Sequence, residues 1–428
     1  MTGNPTPLLR FHSFFMHSCL VTMALVGSSC GLTVVSTTEP VMTDDTASHD
    51  TSADADTDAD ADSDTDADSD TDADSDSDAD TDTGAMVLVH YDTGFGSAIT
   101  LRGEGDGLSW TAGLPCTWTD DNIWACGPLP LNASAVVKPL VNDTDWALGY
   151  NWTVAPGETV SIYSSFYADS GRVEVVGGFH STVLGNSRDI AVYLPPSYDE
   201  NPAKRYPVLF MHDGQNLFEP ALSAFGVAWE VDEALDHLAT WGGIHEVIVV
   251  APYNDADRIW EYTPSYDASV GGGGGADNYL DFLLDEVAPW VEVTYRTDGS
   301  RPGIAGSSLG GLLSLHACWT RPSEFSRCGV FSPSLWWEGG ALLSDIQASA
   351  ASPTDVRYYL DSGDSGPSSD GMTQTIAVRD ALAANGWVEG DDLLYVLGVG
   401  HAHNEAAWAA RLPSALAFLY ADARRTEP

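Results

Sequence analysis

The chain predicts an α/β fold: a doubly wound, mostly parallel sheet over residues 173–424, preceded by a small all-β sandwich over 86–172 and an acidic linker over 32–85. Three observations predict it. Short apolar strands alternate with helical patterns from 173 onward, the pattern of parallel strands joined by crossover helices. Between 86 and 172, brief strands are broken at close intervals by turn signals such as Asp92-Thr-Gly, Asp120-Asp-Asn and Ala155-Pro-Gly, which suits a sandwich. From Asp54 to Asp82 every second residue is Asp, with no apolar face to bury.

Residues 1–31 carry Arg10, an apolar run and small residues ahead of Cys30, the makeup of a secretory signal. The approach to Cys30 resembles a bacterial lipoprotein signal. That implies lipidation at Cys30, contact with a membrane only through this anchor, and a place at the bacterial cell surface or outer membrane. Cleavage by an ordinary signal peptidase would instead give a secreted protein. In the linker, charge repulsion keeps the Asp run disordered and extended. It reaches at most ~95 Å at ~3.3 Å per residue, which fits a tether. A calcium-loop reading lacks the turn glycine and closing Glu such a loop needs.

The segment 86–172 holds Trp110, Trp118, Trp124, Trp146 and Trp152. Tryptophans either fill a small core or, exposed, stack on sugar rings. Gly107-Leu-Ser-Trp, Lys138-Pro-Leu-Val-Asn-Asp and Gly149-Tyr-Asn resemble starch-binding sandwich modules, which implies a possible carbohydrate partner.

Charge narrows the partners. Excluding the first 84 residues, 44 acidic and 16 basic residues remain, net −28. Nucleic acid and anionic membrane surfaces are disfavoured. Cys116/Cys126 and Cys318/Cys328 are each ten apart, and an even count behind a signal segment suggests two local disulfides in an oxidising compartment. Buried free thiols are the alternative. No C-x-x-C or His cluster accompanies them, so no metal and no cofactor is expected.

From 173 to 424, strands are legible near 190–194, 207–212, 246–251, 303–306, 329–332, 357–361 and 393–397, with helical patterns at 276–290 and 372–385 between them. The central stretch is Gly303-Ile-Ala-Gly306-Ser-Ser308-Leu-Gly310-Gly311. In this context G-x-S-x-G is a strand-to-helix turn that lifts a serine hydroxyl out of a sheet, as in α/β-hydrolases. Gly27-Ser-Ser-Cys-Gly31 matches as well, but lies in the signal segment and is a decoy. A nucleophilic serine needs a base and a carboxylate, in the chain order Ser, acid, His. His401 and His403 follow the last strand. Asp361, Asp364 and Asp370 follow the strand before it. Asp364, just past Gly363 in the turn, is the best placed of these, while Asp370 could serve as the acid or could cap the next helix. Oxyanion donors should be the amide of Leu309 and those of Gly214 or Gln215, on the loop after 207–212. His212 there reads as structural.

Several separated stretches then resemble the esterase family of α/β-hydrolases that includes enterochelin, feruloyl and acetylxylan esterases and mycolyltransferases. They are Val192-Tyr-Leu-Pro-Pro-Ser-Tyr198, Arg205-Tyr-Pro-Val-Leu-Phe-Met-His-Asp-Gly-Gln-Asn-Leu-Phe218, Arg258-Ile-Trp-Glu-Tyr-Thr-Pro264, Ala305-Gly-Ser-Ser-Leu-Gly-Gly311, Phe331-Ser-Pro-Ser-Leu-Trp-Trp337 and His403-Asn-Glu-Ala-Ala-Trp408. The resemblance implies a serine carboxylic-ester hydrolase with Ser308 as nucleophile and His403 as base; Asp364 is the provisional acid. The substrate wall is expected at Trp336, Trp337, Trp260, Arg258 and Tyr262, which would suit aromatic acyl or polysaccharide-linked esters as well as small-molecule esters. Siderophore-ester hydrolysis, acyl transfer, and an inert hydrolase domain on a carbohydrate-binding surface protein are the alternatives.

Overall fold

The computed structural model describes residues 84–426, apart from Gly242 and Ala351. The signal segment with Cys30 and the Asp run lie outside the described residues. Those described belong to one compact unit.

An eight-stranded sheet is built from β1 (Arg172–His180), β2 (Ser187–Leu194), β3 (Val208–Met211), β4 (Ile248–Pro252), β5 (Gly303–Ser307), β6 (Arg327–Phe331), β7 (Arg357–Gly363) and β8 (Leu393–Gly398). Their spatial order is β1-β2-β4-β3-β5-β6-β7-β8. β1 with β2, and β2 with β4, pair antiparallel; every other neighbouring pair is parallel. This is the α/β-hydrolase fold.

The inner strands are apolar at every position because both faces are covered. Successive side chains leave for opposite faces. Val208, Phe210, Ile248 and Val250 enter one core, under α2 (Leu309–Thr320), α3 (Ala341–Ala348), α4 (Met372–Ala384) and the helical run 276–294. Leu209, Met211, Val249 and Ala251 enter the other, under α1 (Val231–Trp241) and α5 (Glu405–Leu419).

The N-terminal part is a sandwich of a four-stranded and a six-stranded sheet. The strand Arg425–Thr426 returns to pair with Asn151–Val154 at the edge of the larger sheet. Trp124 and Trp152 fill the sandwich core, which the Cys116–Cys126 disulfide closes. Trp110, Trp118 and Trp146 are exposed. The seam to the hydrolase sheet is polar and specific. Glu200 accepts hydrogen bonds from the Tyr91 hydroxyl (2.9 Å) and the amides of Phe166 (2.6 Å) and Ala168 (2.7 Å). Asn201 donates to the carbonyls of His90 (2.9 Å) and Ser164 (2.8 Å).

The second expected disulfide is corrected: Cys318 and Cys328 are free and buried. Cys318 lies in the last full turn of α2 and Cys328 in β6 below it. The Cys328 thiol donates to the Ser314 carbonyl at 3.1 Å, inside the helix–sheet core. Burial pushes its ionisation well above the ordinary thiol range. The pair therefore behaves as small core side chains.

Candidate active site

β5 passes into α2 without a loop, and Ser308 is the residue between them. Its backbone stands at φ 59°, ψ −120°, a region that residues with a Cβ rarely enter and that marks a functional strain when observed. The neighbouring glycines make the turn sterically possible. A Cβ at Gly306 would lie 2.7 Å from the His212 ring, and one at Gly311 would lie 2.8 Å from the Phe331 carbonyl oxygen. The Ser308 amide donates to the Phe331 carbonyl at 3.0 Å, and its own carbonyl accepts from the Ser334 amide at 2.9 Å. The turn is thus pinned from both sides. The Ser308 hydroxyl lies 3.3 Å from that of Ser334.

His212 lies beneath this turn with its ring 5.2 Å from that of Tyr262 and 5.7 Å from that of Tyr279. Neither ring nitrogen has a hydrogen-bond partner. Burial, with a smaller push from Arg258 and a partial offset from Asp213, lowers its affinity for a proton from 6.5 to about 4. Because the folded value lies below the unfolded one, the stability tied to the neutral ring is present above pH 6.5 and lost as pH falls towards 4. At pH 4.5 the loss should be roughly 2–3 kcal/mol, at ~1.4 kcal/mol per unit. Urea unfolding at pH 7 and pH 4.5 should show that loss in the wild type and a correspondingly smaller one in His212→Leu. Equal losses in both would refute the assignment.

His403 follows β8 on the short loop into α5, whose N-cap is Asn404, its side chain accepting from the Ala407 amide at 3.0 Å. The His403 Nδ1 meets Asp370 Oδ1 at 2.6 Å. This corrects the expected acid. Asp364 accepts from the Gly400 amide at 2.6 Å, anchoring the histidine loop instead of the imidazole. Asp370 reaches the ring because Ser369, Asp370 and Gly371 all take positive φ (48°, 50° and 71°), turning the carboxylate back towards the end of β7. It does not cap α4.

Asp370 is fully buried and held on both oxygens. Its Oδ2 accepts from the Ser332 hydroxyl (2.5 Å) and the Gly363 amide (2.6 Å). Burial opposes its ionisation, but the bonds from His403, Ser332 and Gly363 outweigh that and hold the carboxyl below the usual carboxylate range. Ser332 in turn accepts from Trp408 Nε1 (3.0 Å) and Arg411 Nη2 (2.8 Å). Arg411 also donates to Asp361 Oδ1 at 3.0 Å and to His401 Nδ1 at 3.2 Å. His401 and Asp361 are therefore engaged by this arginine, which removes both from the alternatives for base and acid.

Removing the guanidinium would leave two buried carboxylates facing each other's field, a loss of the kind that costs ~3–5 kcal/mol. Arg411→Met should lower stability in urea at pH 7 by about that amount; a loss below about 1 kcal/mol would show that the buried network is not held by charge pairing.

Ser308 and His403 line one cavity of about 430 Å³, with Asp213, Gln215, Asn216, Phe225, Trp229, Asn254, Arg258, Glu405 and Trp408. Among the described residues no hydrogen bond joins Ser308 to His403, and such bonds commonly tighten only when substrate binds. The Leu309 amide opens α2 and has no helical carbonyl to pair with. Gln215 lines the cavity, whereas Gly214 packs against Ala251, where a Cβ would collide with the carbonyl oxygen.

The expected substrate wall is largely corrected. Of its five residues only Arg258 lines this cavity, and its guanidinium is clamped by Asp213 through bonds of 2.6 and 2.7 Å. Trp337 is buried, donating to the Ser265 carbonyl at 2.9 Å, and Tyr262 is buried, accepting from the Asp213 amide at 3.2 Å. Trp260 and Trp336 are exposed but stand outside the cavity lining. The aromatic walls are Phe225, Trp229 and Trp408. Sequence reasoning missed Ser334, Ser332, Arg411 and these three aromatics. Ser332, Ser334 and Trp408 do lie in the stretches 331–337 and 403–408 that carry the resemblance, but nothing in those stretches marks them as residues of the site. Among the described residues no group of His, Cys, Asp and Glu is arranged to hold a metal ion, and no helix is long and apolar enough to cross a membrane.

A serine on a strained turn at the carboxyl edge of such a sheet, facing an imidazole already bound to a carboxylate, is the arrangement of serine α/β-hydrolases. The family described as "Putative esterase" matches residues 181–419, and the chain belongs to it, as a serine carboxylic-ester hydrolase. Among similar proteins, the uncharacterized protein YbbA of Bacillus subtilis (strain 168) is 29% identical over 268 residues, covering 58% of this chain and 99% of that protein. The siderophore triacetylfusarinine C esterase of Aspergillus fumigatus is 35% identical over 148 residues, covering 33% of this chain and 49% of that enzyme. The chain thus spans only about half of that relative. A solved structure, an enterobactin hydrolase IroE complex with DFP, is 22% identical with a TM-score of 0.45, over 58% of this chain and 94% of that one.

Proposed function

We propose that the chain hydrolyses small-molecule carboxylic esters through Ser308, His403 and Asp370, and that these are esters of the siderophore kind. The observation that carries the mechanism is the 2.6 Å His403–Asp370 contact beside Ser308 in one cavity. Asp370 holds Nδ1 protonated and so presents Nε2 as the base. His403 takes the Ser308 proton as the hydroxyl attacks the acyl carbon, then hands it to the leaving alcohol. The Leu309 and Gln215 amides hold the oxyanion. Water, activated by the same imidazole, releases the acid. The substrate class is supported by the names of relatives, which include siderophore esterases of fungi and bacteria.

A fluorophosphonate probe tests the nucleophile. It should label the purified full chain once, and peptide mapping should place the adduct on Ser308. Labelling elsewhere, or undiminished labelling of Ser308→Ala, would sink the reading.

A second reading, sugar binding by the sandwich, is favoured by one observation: Trp110 and Trp146 are exposed with ring centres 6.2 Å apart. Trp146→Ala should weaken retention on an insoluble starch column if sugars stack there. Export, with lipidation at Cys30, rests on the sequence of residues 1–31, and the Cys116–Cys126 disulfide suits an oxidising compartment.

A further inference from the structure

Glu405 is a charged residue of the Ser308 cavity that the mechanism leaves unused and that no ion pair among the described residues engages. It is buried, with 6% of its surface exposed, and it lines the cavity. Its carboxylate accepts no hydrogen bond from another described residue and stands in no ion pair among them, whereas the other charged groups of the wall are engaged. His403 is bound to Asp370, and Arg258 is clamped by Asp213, which also accepts from Asn254 Nδ2 at 2.5 Å. A structural role as helix cap is already taken, because the Asn404 side chain caps α5. Burial opposes its ionisation and outweighs both the bond from its own amide at the start of α5 and the attraction of His403 and Arg258 from a distance, a cost that a directly paired cation would offset. With Asp213 and Arg258 cancelling, the wall keeps one negative charge, which repels polyanionic substrates and attracts cations.

We propose that Glu405 pairs with a positively charged group of the substrate, an ammonium within a few atoms of the scissile ester. This rests on the hydrolase reading above and narrows its substrates, siderophore esters included, to those that carry a cation near the scissile bond, as aminoacyl or amino-alcohol esters do.

The test compares isosteric esters with the purified full chain. The p-nitrophenyl esters of alanine and isobutyrate differ by an ammonium in place of a methyl on the acyl side. Acetylcholine and 3,3-dimethylbutyl acetate differ in charge alone on the alcohol side. Each kcat/KM is divided by the ester's spontaneous hydrolysis rate. In the wild type at least one pair should favour the cationic member by tenfold or more, and Glu405→Gln should bring that ratio to within about threefold of unity. The wild-type ratio needs no variant, so misfolding of the variant cannot hide the answer. A ratio near one for both pairs, or a preference that survives Glu405→Gln, overturns the proposal while Ser308-dependent turnover leaves the hydrolase reading standing. If neither pair is turned over, or turnover survives Ser308→Ala, the hydrolase reading falls and this proposal falls with it.

Discussion

Ser308→Ala should reduce kcat/KM for p-nitrophenyl acetate and butyrate by about 10⁴-fold or more, to whatever the oxyanion amides and the cavity alone supply. The size follows from the chemistry. Without the hydroxyl no acyl-enzyme forms, and the imidazole has no nucleophile to activate. His403→Ala should cost a similar factor, and the double variant little more, because the two act as one unit. The nearby Ser334 hydroxyl is the obvious rival. It lies 3.3 Å from Ser308, but it does not sit on the strained turn at the head of α2 and has no helix-opening amide beside it. Ser334→Ala should therefore fall by less than about tenfold, since it removes one neutral hydrogen bond. If Ser308→Ala retains more than a hundredth of wild-type turnover while Ser334→Ala does not, the nucleophile has been misassigned.

Asp370→Asn should cost about 10⁴-fold in kcat while the protein stays folded, the size seen when the triad acid is neutralised and the imidazole tautomer is lost. The carboxylate accepts on both oxygens, from His403 on one and from Ser332 and the Gly363 amide on the other. An amide can serve only one of those sides as an acceptor. Whichever way it turns, it either offers His403 a donor, forcing the proton onto Nε2, or breaks with Ser332 and Gly363. Asp364→Asn provides the contrast. It touches the Gly400 amide and not the imidazole, so its effect should stay within about tenfold. The pair of variants, measured by kcat/KM with thermal melts alongside, decides between the two acids. Equal losses would mean that the histidine loop, and not the tautomer, limits the reaction.

The sequence by itself determined the parts of this protein that depend on local pattern. Short unbroken apolar runs bounded by turn signals, such as Ile248–Pro252, read as strands covered on both faces. The crowding of Gly306, Gly310 and Gly311 around Ser308 marks a close turn in the sequence itself. The position of His403 after the last strand followed from chain order. Tertiary structure alone decided the rest, because it depends on where separate loops meet. The choice of Asp370 over Asp364 hangs on three consecutive positive-φ residues, of which two are not glycine and carry no local signal. Trp337 and Tyr262 look like walls in the sequence and are core in the fold, since an aromatic ring suits either place. Cys318 and Cys328 have the spacing of a bridge, but lie in the helix–sheet core as free thiols. Arg411 reads as one more surface charge on a helix. Only the folding of α5 over β7 buries it against Asp361 and aims it at Ser332, the hydroxyl that bonds the acid of the site.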